Sequence, residues 1–332
     1  MSDSAQLQHD LDRARTAFGE LRNSLCEHYL GQAELIDQLL ETLLAGGHVL
    51  LEGPPGLGKT TLVRLLSAVL GLEFRRIQFT PDLMPADILG TRILEDDGHG
   101  GRQFRQERGP IFTQVLLADE INRATPRTQS ALLEAMEERQ VSQFGKTEAL
   151  DEHFFVAATQ NPIEMEGTYP LPEAQLDRFL TKLTLTPPEL GELTEILDAT
   201  TREQRLLPGA AITSTELSRA RALARAVPCA REGLEYAARL VLTSHPNHDQ
   251  APDLVRTYVR FGSGPRGAQA LVLLAKARAL LAGSDYVRAE DLRAVAPGAL
   301  RHRLILGYEG EAAGISPDAI VEALIENLPR PF

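Results

Sequence analysis

The sequence predicts an α/β fold, a parallel sheet with helices built around a phosphate-binding loop, followed by a smaller all-α domain. Three observations predict it. A loop of glycine and proline, Gly53-Pro54-Pro55-Gly56-Leu57-Gly58, stands between an apolar run, Val49-Leu50-Leu51, and a second one, Leu62-Val63-Arg64-Leu65-Leu66. Two more short apolar runs, VLLADE at 115–120 and FFVAATQNP at 154–162, end in polar residues, as strands buried on both faces do. After Pro187-Pro188 helical spacing takes over.

Residues 1–28 read as a polar helical segment, with Leu7, Leu11, Phe18, Leu21 and Leu25 spaced for one apolar face. Residues 29–187 read as the α/β nucleotide domain and 188–332 as the helical lid, with helices predicted over 189–206, 214–226, 233–244, 252–260, 268–281 and 289–304. The 332 residues suffice for two domains and a large core. Apolar (43%) and charged (24%) contents are those of an ordinary soluble globular protein. The formal net charge of −12 repels phosphate backbones, which disfavours broad nucleic-acid binding. Cys26 and Cys229 match no metal spacing and read as reduced thiols. The start, MSDSAQLQHD, has neither the basic nor the apolar region of a signal peptide. No apolar stretch is long enough to span a membrane, so a cytoplasmic location is expected.

The loop fits G-x-x-x-x-G-K-[ST] at Gly53, Gly58, Lys59 and Thr60, between a strand and a helix as the motif requires. Glycine lets the loop from Pro54 to Thr61 curl the backbone N–H groups of its non-proline residues, Gly56 to Thr61, around phosphate oxygens, and the helix that follows aims its positive end at the same anion. Lys59 reaches the β and γ phosphates, and the Thr60 hydroxyl can ligate Mg²⁺. This is a nucleoside-triphosphate site. The nearest match to a guanine-reading [NT]-K-x-D is Thr181-Lys182-Leu183-Thr184, which lacks the aspartate, so ATP is favoured. Asp119 and Glu120 close the second strand at its carboxyl end, where ligands of such sheets bind. Asp119 is expected to support Mg²⁺ and Glu120 to polarise the attacking water. If the third strand lies beside the second, Asn161 falls near the γ-phosphate and can sense it or position water.

Taken in order, GPPGLGKT, LLADEINRA, QSALLEAMEERQV, ATQNP and LPEAQLDRF resemble the MoxR family of AAA+ ATPases over residues 29 to 185. A weaker likeness continues through VPCAREGLEYAARLV, VRFGSGPRGAQAL and GSDYVRAEDLRAVAPGALRHRL. The resemblance implies a P-loop AAA+ core followed by a lid. It implies that Arg178, in Asp177-Arg178-Phe179, is an arginine finger reaching the ATP of a neighbouring subunit in a homo-oligomeric ring, a hexamer. It makes Arg266 a sensor on the lid that touches its own subunit's γ-phosphate. The family more often has serine before the proline here; Gly264 and Gly267 predict a looser turn around Arg266. Gly31, in YLGQAELI, matches the segment whose backbone lines the adenine pocket. Two insertions are expected to face the pore, a hairpin or helical insert around 78–108 and a hairpin around 140–151; the first has a turn-rich tip at Glu95 to Gly101, in which Gly98 to Gly101 also reads as a plain flexible loop. The implied role is remodelling or maturation of a client protein, with a partner carrying a von Willebrand factor A domain. A metal-chelatase-type ATPase subunit, a DNA-acting motor and a slow nucleotide-dependent scaffold are the alternatives. Arg123 reads equally as a second interface arginine or not, and Arg301-His302-Arg303 as a contact to a neighbour or a solvated basic turn. His245 and His248 lack a third metal ligand nearby.

Overall fold

In a computed structural model, which describes residues 3–96, 102–162, 167–201 and 207–329, the three apolar runs become neighbouring strands of one sheet. Helices α1 (Asp3–His28) and α2 (Ala33–Leu44) lead into β1 (Val49–Glu52), the glycine loop and α3 (Lys59–Val69). Strand β2 (Phe74–Gln78) and the short helix α4 (Pro85–Leu89) precede a hairpin, β3 (Gly90–Asp96) and β4 (Arg102–Arg108). Then come β5 (Val115–Asp119), α5 (Pro126–Glu138) and a second hairpin, β6 (Gln140–Gln143) and β7 (Lys146–Ala149). Strand β8 (Phe155–Gln160), the single turn α6 (Glu173–Leu176) and β9 (Thr181–Thr184) complete this half. The five long-range strands run parallel in the order β2-β5-β8-β1-β9.

The strands are short and apolar because both faces are covered, and side chains alternate between two cores. Val49, Leu51, Val115, Leu117, Phe155 and Ala157 point to the face packed by α1, α2, α3 and the helical half. Leu50, Leu116, Ala118, Val156 and Ala158 point to the other, against Leu132, Leu133 and Met136 of α5. Each such fully buried aliphatic side chain contributes about 1.5–3 kcal/mol.

The remaining chain is α7 (Leu190–Thr201), α8 (Ser214–Ala226), α9 (Arg231–Thr243), α10 (Asp253–Tyr258), β10 (Val259–Phe261), α11 (Pro265–Leu281), α12 (Ala289–Leu300), β11 (Ile305–Leu306), α13 (Tyr308–Ala312) and α14 (Pro317–Asn327). It is helical as predicted, with one short antiparallel pair, β10 with β11. That pair ends the helix predicted over 252–260 at Tyr258. The sequence there turns to Val259-Arg260-Phe261 before a glycine, and a Cβ on Gly262 would strike Ser244. The helix predicted over 289–304 ends at Leu300, because His302 and Arg303 turn inward to bond backbone of the sheet half. Helix α14 carries a readable start, the Ser316 hydroxyl accepting from Ala319 N with Pro317 in the first turn. The sequence reading missed it and α13.

Both insertions are hairpins, and they are tied together. The Arg92 guanidinium stacks 4.6 Å from the Phe144 ring centroid and donates to Phe144 O at 3.2 Å, while Arg108 pairs with Glu148. The tip at Gly98 to Gly101 lies outside the described residues, as do 202–206 of the helix predicted over 189–206. Among the described residues no helix is long and apolar enough to cross a membrane.

Candidate nucleotide site

Gly56 and Gly58 adopt φ of +85° and +76°, the left-handed conformation that L side chains rarely accept. Gly53 is required for another reason: a Cβ there would stand 2.9 Å from Leu185 O. Lys59 opens α3 and folds back across the loop, its Nζ donating to Gly53 O at 2.6 Å and Pro54 O at 2.8 Å. Burial pushes the ammonium below its ordinary range, while Asp119 and Glu120 pull it back up. A partly desolvated cation aimed along a cradle of N–H groups is suited to a polyphosphate.

The acidic residues come from β5, two strands away. Asp119 is buried; its Oδ1 accepts from the Thr159 hydroxyl at 2.6 Å and its Oδ2 lies 3.5 Å from the Thr60 hydroxyl. Glu120 takes a left-handed φ of +56°, which turns its side chain out of the strand line. Its N–H donates to Thr159 Oγ1 at 2.8 Å. Its carboxylate accepts from Gln78 Nε2 at 2.7 Å and lies 3.3 Å from Arg123. Strand β8 does pair with β5, and Asn161 follows its carboxyl end, buried. Sequence reasoning missed Thr159, which locks both acids, although it lies within the ATQNP already singled out. It also missed Arg76 and Gln78, which hold Asp119 and Glu120 from β2.

Hydroxyl and carboxylate oxygens at Thr60 and Asp119 are hard donors of the kind Mg²⁺ takes. The loop's glycine backbone fits phosphate, so both expected groups suit the residues present. Gly31, at φ +83°, lies against the Glu192 side chain of α7. Beside it is a residue the sequence reading passed over: the Tyr29 hydroxyl donates to Leu57 O at 2.8 Å and its ring lies over Gly58. Burial pushes that phenol up to about 12, so it remains a donor at every working pH.

The arginines are elsewhere. Arg178 immediately precedes β9, and the loop that carries Lys59 follows β1, its parallel neighbour. They are therefore at opposite ends of the sheet, roughly 20 Å apart along the strands. Arg178 pairs with Glu137 of α5 at 2.9 Å. Arg266 pairs with the same Glu137 and lies 3.6 Å from Asp177. A cleft there is lined by Gly46, Gly47, His48 and Arg178, which precede β1 and β9, and by Arg266 and Arg303 of the helical half. The expectation that Arg266 reaches its own subunit's γ-phosphate is thereby corrected: α11 docks its first turn at the end of the sheet away from the P-loop. The expected looseness is corrected at Gly267, where a Cβ would fall 2.0 Å from Ser263 Oγ, so glycine makes that side tight; at Gly264 there is open space.

Arg301-His302-Arg303 is not a solvated turn. Arg303 is buried and donates to Asp177 Oδ1 at 2.6 Å, Phe179 O at 2.8 Å and Leu180 O at 3.1 Å. His302 Nε2 donates to Phe179 O at 3.0 Å, and Arg301 bonds Lys182 O at 3.1 Å. His245 and His248 are taken by loop contacts, His245 with Ser263 O and His248 with Gln250 N. Cys26 and Cys229 are free and half-buried.

Residues 48–181 match the model of the ATPase family associated with various cellular activities, and residues 252–324 match an AAA lid domain. The chain is 41% identical to chaperone MoxR1 of Mycobacterium tuberculosis over 91% of this chain and 79% of that one. It is 33% identical to protein MoxR of Methylorubrum extorquens, over 96% of each. The crystal structure of a candidate ATPase from Cytophaga hutchinsonii superimposes with a TM-score of 0.91 at 36% identity, covering 99% of both chains.

Proposed function

The chain belongs to the MoxR family of AAA+ ATPases, and on that premise we propose that it hydrolyses ATP between neighbouring subunits of a ring to remodel or mature partner proteins. In this reading residues 29–187 form the nucleotide domain and 188–332 the lid. Gly31, Gly53 to Gly58, Lys59, Thr60 and Thr61 hold ATP; Thr60 and Asp119 hold Mg²⁺. The metal supplies positive charge at the β- and γ-phosphate oxygens. Glu120 accepts a proton from water as the water oxygen bonds to the γ-phosphorus and the bond to the β-bridging oxygen breaks, releasing ADP and phosphate. Asn161 holds that water or the γ-phosphate in line. Arg178 and Arg266 of the next subunit offset the charge that develops on the γ-phosphoryl oxygens.

One observation carries the shared site. Arg178 and Arg266 converge at the end of the sheet opposite the P-loop and Glu120. A subunit folded this way meets another subunit's triphosphate with its arginines, and a closed ring, a hexamer in this reading, lets every site be completed.

Mixing tests it. Arg178→Ala lacks the finger and Glu120→Gln lacks the base, so each alone is inactive. Mixed rings should recover turnover at interfaces that pair an intact Arg178 with an intact Glu120. Mixtures as inactive as their components would sink the shared site. The client and a von Willebrand factor A domain partner, in the cytoplasm, complete the proposal. Capture from cells on ATP-loaded Glu120→Gln, with Lys59→Ala as control, tests them. A von Willebrand-type protein retained only by the first supports that role; DNA-repair proteins retained there instead would move the reading to a DNA motor.

A further inference from the structure

Asp119 has two oxygens with different neighbours. Oδ1 is committed to the buried Thr159 hydroxyl, whose other contact is Glu120 N. Oδ2 is the oxygen that faces Thr60 and hence the metal position. That same oxygen is gripped by Arg76, from Nε at 3.0 Å and Nη2 at 2.7 Å. Arg76 comes from β2, the strand next to β5, and its side chain is half exposed. Two cations cannot share one carboxylate oxygen without mutual repulsion.

We propose that Arg76 is a positioning residue that stands in for Mg²⁺ at Asp119 and gives way when the metal arrives, so that it sets the metal dependence of nucleotide binding. This rests on the reading of Thr60 and Asp119 as the metal site. The guanidinium keeps the carboxylate paired and oriented in the nucleotide-free subunit, where a bare buried carboxylate is costly. It also has somewhere to go. Arg76 Nη2 already donates to Gln78 Oε1 at 2.6 Å, and Gln78 Nε2 holds Glu120 at 2.7 Å. Displacing Arg76 from Asp119 therefore disturbs the side chain that restrains Glu120. Metal loading and release of the water-polarising carboxylate become one event, whereas in a site without Arg76 they are separate.

The test is a Mg²⁺ titration of the full-length protein with a fluorescent ATP analogue, reading nucleotide affinity and not turnover. Arg76→Gln should lower the Mg²⁺ concentration at half effect about tenfold, the consequence of removing a like charge from the metal's neighbour. Arg76→Lys, which keeps a cation but loses the two-donor grip of Nε and Nη2, should fall between the glutamine variant and the unaltered protein. An unchanged value in Arg76→Gln overturns the proposal. A raised one also overturns it, by making Arg76 a phosphate ligand. A lysine variant that behaves like the glutamine one overturns it as well, by assigning the effect to lost packing on β2. Asp119→Asn separates the two readings. If affinity in the unaltered protein does not depend on Mg²⁺, or if Asp119→Asn leaves that dependence intact, the metal site itself is wrong and the proposal falls with it. Thermal unfolding of each variant checks the fold; the half-exposed Arg76 lies on an edge strand of the sheet, where truncation leaves the core untouched.

Discussion

The two ends of the sheet are mirror images in charge. At the carboxyl ends an acid is held by a basic side chain, Arg76 on Asp119. At the amino ends two arginines are held by an acidic one, Glu137 on both Arg178 and Arg266. On the function proposed above, each half-site carries a resident counter-ion of the sign its ligand would bring. Without one, the more buried members, Asp119 and Arg178, would lie partly desolvated with no opposite charge beside them. The comparison teaches that two clusters of opposite charge can each be stable alone through an internal ion pair. If the two clusters complete one site between subunits, as proposed, assembly would exchange an internal ion pair for an external one.

The comparison can be broken most sharply at Arg178. Arg178→Ala should leave ATP affinity near its native value and reduce turnover about 10³-fold, the scale of a lost arginine finger. An equal loss of affinity would place Arg178 in its own subunit's pocket. Next comes the other end: Lys59→Ala should weaken ATP binding about 100-fold or more, since it removes a charge that bridges loop carbonyls and phosphate. Tight binding retained by that variant refutes the P-loop assignment. Arg266→Ala should cost turnover about 10- to 100-fold and, like Arg178→Ala, be complemented in mixed rings by Glu120→Gln subunits. Failure to complement while Arg178→Ala does so would return Arg266 to its own nucleotide. Glu137→Gln is smaller and opposite in sign. Freed arginines should lower the ATP concentration needed for ring assembly by about three- to tenfold, read by light scattering. A raised concentration would make Glu137 an orienting group and not a competitor.

The smallest effect concerns the footing of the basic end. His48 lines that cleft, fully enclosed, with Nδ1 accepting from Val156 N at 3.0 Å. Burial, reinforced by the charges of Arg139 and Arg221, pushes its pKa down to about 3. The unfolded imidazole titrates near 6.5, so the folded state loses stability as pH falls from 6.5 toward 3, by about 1 kcal/mol per unit. His48→Asn keeps an acceptor for Val156 N and should flatten that slope in urea melts at pH 5, 6 and 7. Parallel slopes in the two proteins would mean that His48 is not responsible.

What was legible in the sequence was what is local in it. The phosphate loop, Asp119-Glu120 and Asn161 each lie at the end of one short apolar run, whereas the order β2-β5-β8-β1-β9 is a matter of long-range pairing that these runs do not state. The period-2 split between two cores could be read from Val115 to Ala118 alone. What escaped depends on which elements dock together. Glu137 reads as one of several charges on a helix, and only the docking of α6 and α11 brings both arginines to it. Arg76 and Gln78 read as polar residues of a half-exposed strand; their meaning comes from the register Gln78↔Asp119. The place of Arg266 beside Glu137 escaped because the position of α11 is set by long-range packing, against α2 among others, that no short stretch encodes.

Arg303 has one more implication. From just after α12 of the lid it holds Asp177 and the backbone of Phe179 and Leu180, around Arg178. The segment that carries Arg178 and the lid of the same chain are thus a single mechanical piece, because a displacement of either is passed to the other through hydrogen bonds to backbone carbonyls. If Arg178 meets a neighbour's triphosphate, as proposed above, that linkage would carry the neighbour's nucleotide state into this subunit's lid as a displacement.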